Sequence, residues 1–211
     1  MKRRIHNILA LIFLSAILMA GVANAGDTSK LDEVLERGKL IVGTGSTNAP
    51  WHFKDAKNNL VGFDVDVIKM IAKALFDDPE KVKFVNQSGD SRIPNLTTGK
   101  VDVTSQFMTV TGGRAQQVEF SIPYYREGVG LLLKAGGKYK NYAELKSAGK
   151  KVTVSVLQNV YAEEMVHKAL PNAKVDQYDS QDLIYQALNS GRADAACTDQ
   201  SALRWFIKQN P

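Results

Sequence analysis

The sequence predicts an α/β protein of two lobes with a cleft between them, and three observations carry that prediction. Short apolar strands alternate with amphipathic helices over two separate stretches. Between these stretches Val129-Gly130-Leu131-Leu132-Leu133 is followed by Gly136-Gly137, after which the alternation restarts instead of continuing. Just before that break, from Phe107 to Tyr125, threonines, glycines and an arginine gather past the end of a strand, where ligands sit in open α/β sheets.

The N-terminus sets the expected compartment. Lys2, Arg3 and Arg4 precede an apolar run from Ile8 to Met19, and Ala23-Asn24-Ala25 follows, which reads as a secretory signal peptide over residues 1–25 cut after Ala25. The run is short for a membrane span, and no later segment is long and uncharged enough to cross a bilayer. Residue 26 is glycine, and no cysteine nearby could take a lipid anchor, so the periplasm is the expected location. Cleavage takes 211 residues to 186 and removes three cations, bringing the net charge from +5 to +2. That small balance, spread through mixed segments such as Asp77-Asp78-Pro79-Glu80-Lys81, offers no basic stripe for nucleic acid. Cys197 is the single cysteine, which excludes an internal disulfide, and its apolar setting, Ala193 to Cys197, reads as core. His6, His52 and His167 lack ligand spacing, so neither a metal nor another cofactor is expected.

The elements follow in order. Residues 31–37 read as a short helix ended by Gly38, and 40–43 as a buried strand. Ile68, Ile71, Ala72 and Leu75 recur at helical spacing from Val65, with Asp64 and Asp66 suited to the helix start. A strand at 82–85, a short helix at 93–98 and a strand at 101–104 complete the first unit. The second reads as a strand at 151–156, a helix at 161–169, a strand at 174–178, a helix at 181–188 and a strand at 193–197. The expected organisation is a first lobe over 26–128, a hinge strand at 129–135 and a second lobe over 136–211.

The segment Met108-Thr109-Val110-Thr111-Gly112-Gly113-Arg114 places hydroxyls, a guanidinium fork and backbone N–H groups together where a turn opens into a helix. Bidentate carboxylate binding needs such a set. Alone, Arg114 would read as a surface arginine paired with Glu119. Continued through Phe120-Ser121-Ile122-Pro123-Tyr124-Tyr125, the segment resembles the signature of the polar amino-acid-binding proteins that serve bacterial ABC importers, extracellular solute-binding protein family 3. The resemblance runs from Leu35 to about Phe206. It includes Gly62-Phe63-Asp64-Val65-Asp66, Ile93-Pro94-Asn95-Leu96, Gly99-Lys100-Val101-Asp102 and Gly191-Arg192-Ala193-Asp194 followed by Thr198-Asp199.

The resemblance implies the two-lobed type II periplasmic-binding-protein fold, an amino-acid ligand in the cleft, an inner-membrane ABC permease as partner and a monomeric, non-enzymatic protein. It also implies roles for particular residues. Arg114 would grip the ligand α-carboxylate, with Thr109 and the backbone of Phe107 beside it. Asp199 would accept from the α-ammonium, or serve as N-cap of the following helix. Trp51 would sandwich the ligand side chain or belong to the core, since Asn48 stands where relatives often carry an aromatic ring. Arg92 matches a position that holds a side-chain carboxylate in binders of acidic amino acids, although Gly45 lacks the basic partner they use. It could equally sit on a solvated helix end. In the second lobe, Gln158 and Asn159 replace a glycine-containing turn and could donate to the ligand carboxylate.

Relatives continue beyond the position of Asn210-Pro211, so the sequence is expected to be C-terminally truncated relative to them. Two further functions remain at this stage: dehydration of a cyclic carboxylic acid, which needs a general acid such as Glu127, Lys134 or Glu163, and ligand sensing through a receptor.

Overall fold

A computed structural model describes residues 29–158 and 162–211, so the expected signal peptide and Asn159 lie outside the described residues. The first helix, α1 (Lys30–Arg37), opens with a reciprocal pair in which Ser29 Oγ donates to Asp32 at 2.9 Å and accepts from the Asp32 N–H at 3.2 Å.

The chain then builds the same unit twice. In the first lobe β1 (Leu40–Thr44), α2 (Phe63–Phe76), β5 (Val82–Asn86), α3 (Arg92–Thr97) and β6 (Val103–Thr104) give a parallel sheet of order β5-β1-β6. In the second, β8 (Thr153–Leu157), α6 (Ala162–Ala169), β9 (Lys174–Tyr178), α7 (Gln181–Asn189) and β10 (Ala195–Asp199) give β9-β8-β10, the same order. A fourth strand, β7 (Val129–Leu132), joins β10 antiparallel. The segment expected as a hinge strand is thus hydrogen-bonded into the second sheet. Helix α5 (Tyr142–Ala148) packs Leu145 beneath that sheet, and α8 (Gln200–Gln209) follows β10 directly.

A repeated device explains where the third strand of each unit begins. Gly99 and Gly191, at φ +71° and +76°, end α3 and α7 in the left-handed conformation that glycine adopts without strain. Three residues on, Asp102 donates its N–H to Ile41 O at 2.8 Å while its carboxylate accepts the Ile41 N–H at 2.7 Å. Asp194 does the same with Thr153, both bonds at 2.8 Å. The side chain takes a donor that a partner strand would otherwise satisfy. Strands expected from 101 and 193 therefore start at Val103 and Ala195.

Both faces of the second sheet are covered. Val152, Val154, Val156, Val166, Leu170 and Cys197 form one cluster, and Ile184, Tyr185, Leu188, Ala196 and Leu203 the other. At about 25 cal/mol per Å² of buried apolar area, these clusters supply the main driving force of the lobe. In the first lobe α2 buries Val65, Ile68 and Ala72.

Between β1 and α2 lies an antiparallel meander of β2 (Thr47–Asn48), β3 (His52–Lys54) and β4 (Leu60–Val61), which the sequence does not announce. Strands of two or three residues are too short for a period-two pattern to register. Gly62 closes the meander at φ +123°, where an added Cβ would stand 2.4 Å from the Trp51 carbonyl oxygen, so glycine is required. Among the described residues no helix is long and apolar enough to cross a membrane.

Candidate functional site

Beyond β6 the chain turns sharply at Phe107, a bulky residue at φ +43°. Such a conformation costs about 1–3 kcal/mol and persists where surrounding structure enforces it. The turn carries Thr109 and Thr111 toward the second lobe. Thr111 caps the one-turn helix α4 (Gly112–Ala115), its Oγ accepting from the Arg114 N–H at 3.4 Å. The Arg114 side chain folds back, donating from Nη1 to the Thr109 carbonyl at 2.9 Å, and is only 8% exposed. A helix opening at that turn is what the sequence predicts.

Arg92 is the first residue of α3 and is also 8% exposed rather than solvated. Its Nε donates to Gly89 O at 2.7 Å and its Nη1 to Gln106 O at 3.2 Å. Burial, followed by repulsion from Arg114, lowers the guanidinium to about 10, against the pull of Asp90 and Asp199. It stays charged at neutral pH.

Asp199 ends β10 and occupies the N-cap position of α8, yet its side chain makes no capping hydrogen bond. The first turn of that helix is satisfied from elsewhere: Glu127 accepts the Ser201 N–H at 3.2 Å and Gly128 O accepts the Gln200 N–H at 2.8 Å. Burial, then the neighbouring Glu127 carboxylate, pushes Asp199 up to about 7, while Arg92 opposes the shift.

These groups share one cavity of about 420 Å³ between the lobes. Asn48, Arg92, Phe107, Thr109 and Arg114 line it from the first lobe and Asp199 from the second. Two guanidinium groups thus face the Asp199 carboxylate across the space. Trp51 and Gln158 do not line it. The Trp51 ring is stacked on Phe107 at 3.7 Å between centroids, with Phe63 and Tyr125 against its edges, and it is 3% exposed. Gln158 is exposed, its N–H donating to Tyr178 O at 2.8 Å.

Other wall residues escape sequence reasoning. His52, whose spacing suits no metal site, lines the cavity with Nδ1 2.7 Å from the fully buried Asp64 carboxylate, which also accepts from the Tyr124 hydroxyl at 3.2 Å. Glu164, Met165 and Lys168 present one face of α6, and Thr198 precedes Asp199. Met165 at 38% exposure on a helix of acidic and basic residues is the signal that could have marked this face. A second cavity, of about 400 Å³, lies along Phe107 to Tyr125. It contains Glu119 and Glu127 but no arginine, so it lacks the paired charges of the first.

The interlobe arrangement can hold a zwitterion by both ends, with a carboxylate toward Arg114 and an ammonium toward Asp199. Residues 40–171 match the family described as bacterial extracellular solute-binding proteins, family 3. A glutamine-binding protein of Geobacillus stearothermophilus is 31% identical over 185 residues, which cover 87% of this chain and 70% of that relative. An ancestral amino-acid-binding protein, described as a precursor of cyclohexadienyl dehydratase, superposes with a TM-score of 0.78 at 37% identity, covering 86% of this chain and 78% of its own. A holo arginine-binding protein of T. maritima gives a TM-score of 0.76 at 35% identity, with 85% and 77% covered.

Proposed function

The chain belongs to family 3 of the bacterial extracellular solute-binding proteins, and from that premise we propose that it captures an amino acid in the periplasm and delivers it to an ABC permease of the inner membrane. The observation that carries this reading is the placement of Arg114 and Asp199 on opposite walls of one cavity. The ligand α-carboxylate binds Arg114 with Thr109 beside it, and the α-ammonium binds Asp199. Because the two anchors belong to different lobes, full contact requires closure, and the permease reads the closed shape. Secretion uses residues 1–25 as a cleavable signal, and the protein acts as a monomer.

The charge balance refines the ligand. Once the α-groups have met Arg114 and Asp199, Arg92 remains as a buried cation, and the lining Glu164 is already paired with Lys168 at 2.8 Å. A side chain bearing an oxygen acceptor, carboxamide or carboxylate, satisfies Arg92, whereas a cationic side chain meets its repulsion with only the solvent-exposed Glu164 to offset it. Dehydration of a cyclic carboxylate is the alternative on this fold. None of the general-acid candidates Glu127, Lys134 and Glu163 lines this cavity, which favours binding without turnover.

A thermal-shift panel of the twenty amino acids and of cyclic carboxylates tests the reading. Stabilisation by glutamine or glutamate, absent with arginine and abolished in Arg114→Ala, is the expected result. Consumption of a cyclic carboxylate would make the protein an enzyme instead.

A further inference from the structure

We propose that Trp51 and Ser201 form a latch between the lobes that sets how tightly the closed cleft holds its ligand without selecting which ligand it holds. The proposal rests on the reading above that the cleft closes around an amino acid.

The Trp51 indole Nε1 donates to Ser201 Oγ at 2.8 Å. Trp51 is fixed to the first lobe: its N–H donates to Asn48 O at 2.8 Å, its carbonyl accepts the Asp64 N–H at 2.9 Å, and its ring is held between Phe107 and Phe63. Ser201 belongs to the second. It lies in the first turn of α8, which continues from β10, the centre of the second sheet's hydrogen bonding. The bond therefore joins two bodies that separate when the cleft opens.

A second bond runs parallel to it. Gln181, at the start of α7 and 2% exposed, donates to Thr198 Oγ at 2.6 Å and across the lobe boundary to Asn48 Oδ1 at 3.3 Å. Trp51 and Asn48 are the two positions at which sequence reasoning looked for a ring against the ligand side chain. Both reach the opposite lobe, Asn48 while also lining the cavity.

The asymmetry of hydrogen-bond energetics gives the latch its effect. In an open cleft water satisfies the indole N–H and the hydroxyl, so removing Ser201 Oγ costs that state little. In the closed cleft the indole is buried, and its donor is left without a partner, a penalty that falls on the closed state alone. Neither latch group of the Trp51–Ser201 pair lines the 420 Å³ cavity, so every ligand is affected alike.

A double-mutant cycle tests this. Affinities for L-glutamine, L-glutamate and L-arginine are measured by calorimetry for the parent protein, Ser201→Ala, Trp51→Phe, their combination and Ser201→Thr. Ser201→Ala is expected to weaken every probe that binds by about tenfold, with unchanged ratios among probes. Ser201→Thr keeps the hydroxyl and the affinity, and in the Trp51→Phe background Ser201→Ala has no further effect. An equal effect of Ser201→Ala in both backgrounds, or none in either, overturns the latch. Failure of all three probes to bind sinks the ligand reading instead. The same cycle is then read as the inter-lobe distance between labels at Lys57→Cys and Ser147→Cys, both exposed positions, while native Cys197 is buried. Longer distances in Ser201→Ala only when Trp51 is present sustain the latch, and unchanged distances overturn it.

Discussion

At the residue scale, Asp199 works against the fold that holds it. Its carboxyl titrates near 3.8 in a solvated chain and near 7 in the folded lobe, because burial and Glu127 both disfavour the charge. The folded form therefore binds more protons between these values. The penalty is absent below about 3.8, grows as pH rises, and is fully present above about 7. Asp199→Asn should accordingly raise the melting temperature of the ligand-free protein at pH 8 by more than at pH 5, while abolishing amino-acid binding. The ligand ammonium needs the charged carboxylate, so affinity should fall about tenfold between pH 8 and pH 6, with proton release seen as buffer-dependent binding enthalpy. A flat profile would remove Asp199 from the ammonium site. Arg114 is the counterpart on the other wall. Arg114→Ala should cost at least about 3 kcal/mol in binding, since it leaves a desolvated carboxylate without its partner. Arg114 could be found in the sequence because its turn, its capping threonine and its charge lie within a few residues of one another. Trp51 could not be placed, because the direction of its ring is set by Phe107 and Tyr125, more than fifty residues away.

At the element scale, the two lobes are one pattern written twice. Gly99-Lys100-Val101-Asp102 and Gly191-Arg192-Ala193-Asp194 each end a helix, turn left-handed at glycine and satisfy the N–H of a neighbouring strand with an aspartate. Asp102→Ala and Asp194→Ala should each destabilise the protein by about 1–3 kcal/mol in urea denaturation, the cost of leaving one part-buried backbone donor unpaired. Asp102→Ala loses the Arg37 pair as well. The alternating α/β order was legible because the helices carry 3.6-residue periodicity and the strands are apolar runs bounded by glycine. The β2-β3-β4 meander was hidden in strands of two and three residues, yet it positions Asn48 and His52 in the cavity wall. The starts of β6 and β10 were misplaced by two residues because the aspartate side chains do the pairing there.

At the scale of the whole molecule, the anchors and the latch occupy different surfaces of the same interface. Arg114 and Asp199 need a ligand between them, whereas Trp51 and Ser201 meet directly. Under the proposed function and latch, ligand identity is separated from the intrinsic bias toward closure, and Arg92 and His52, both in the wall, are the groups placed to read the side chain. The first lobe supplies its anchor from beyond the carboxyl end of its third strand and the second from the last residue of its own, so the duplicated topology brings the two charges to the same cleft.

The central claim is that the cleft grips both ends of a free amino acid. Calorimetric titration of the protein at pH 8 with L-glutamine, with its methyl ester and with its N-acetyl derivative addresses that claim most directly. The account predicts saturable binding of the free amino acid and loss of binding for both blocked forms, because the ester has no anion for Arg114 and the amide no cation for Asp199. Binding that survives either block, at the affinity of the free amino acid, would contradict it.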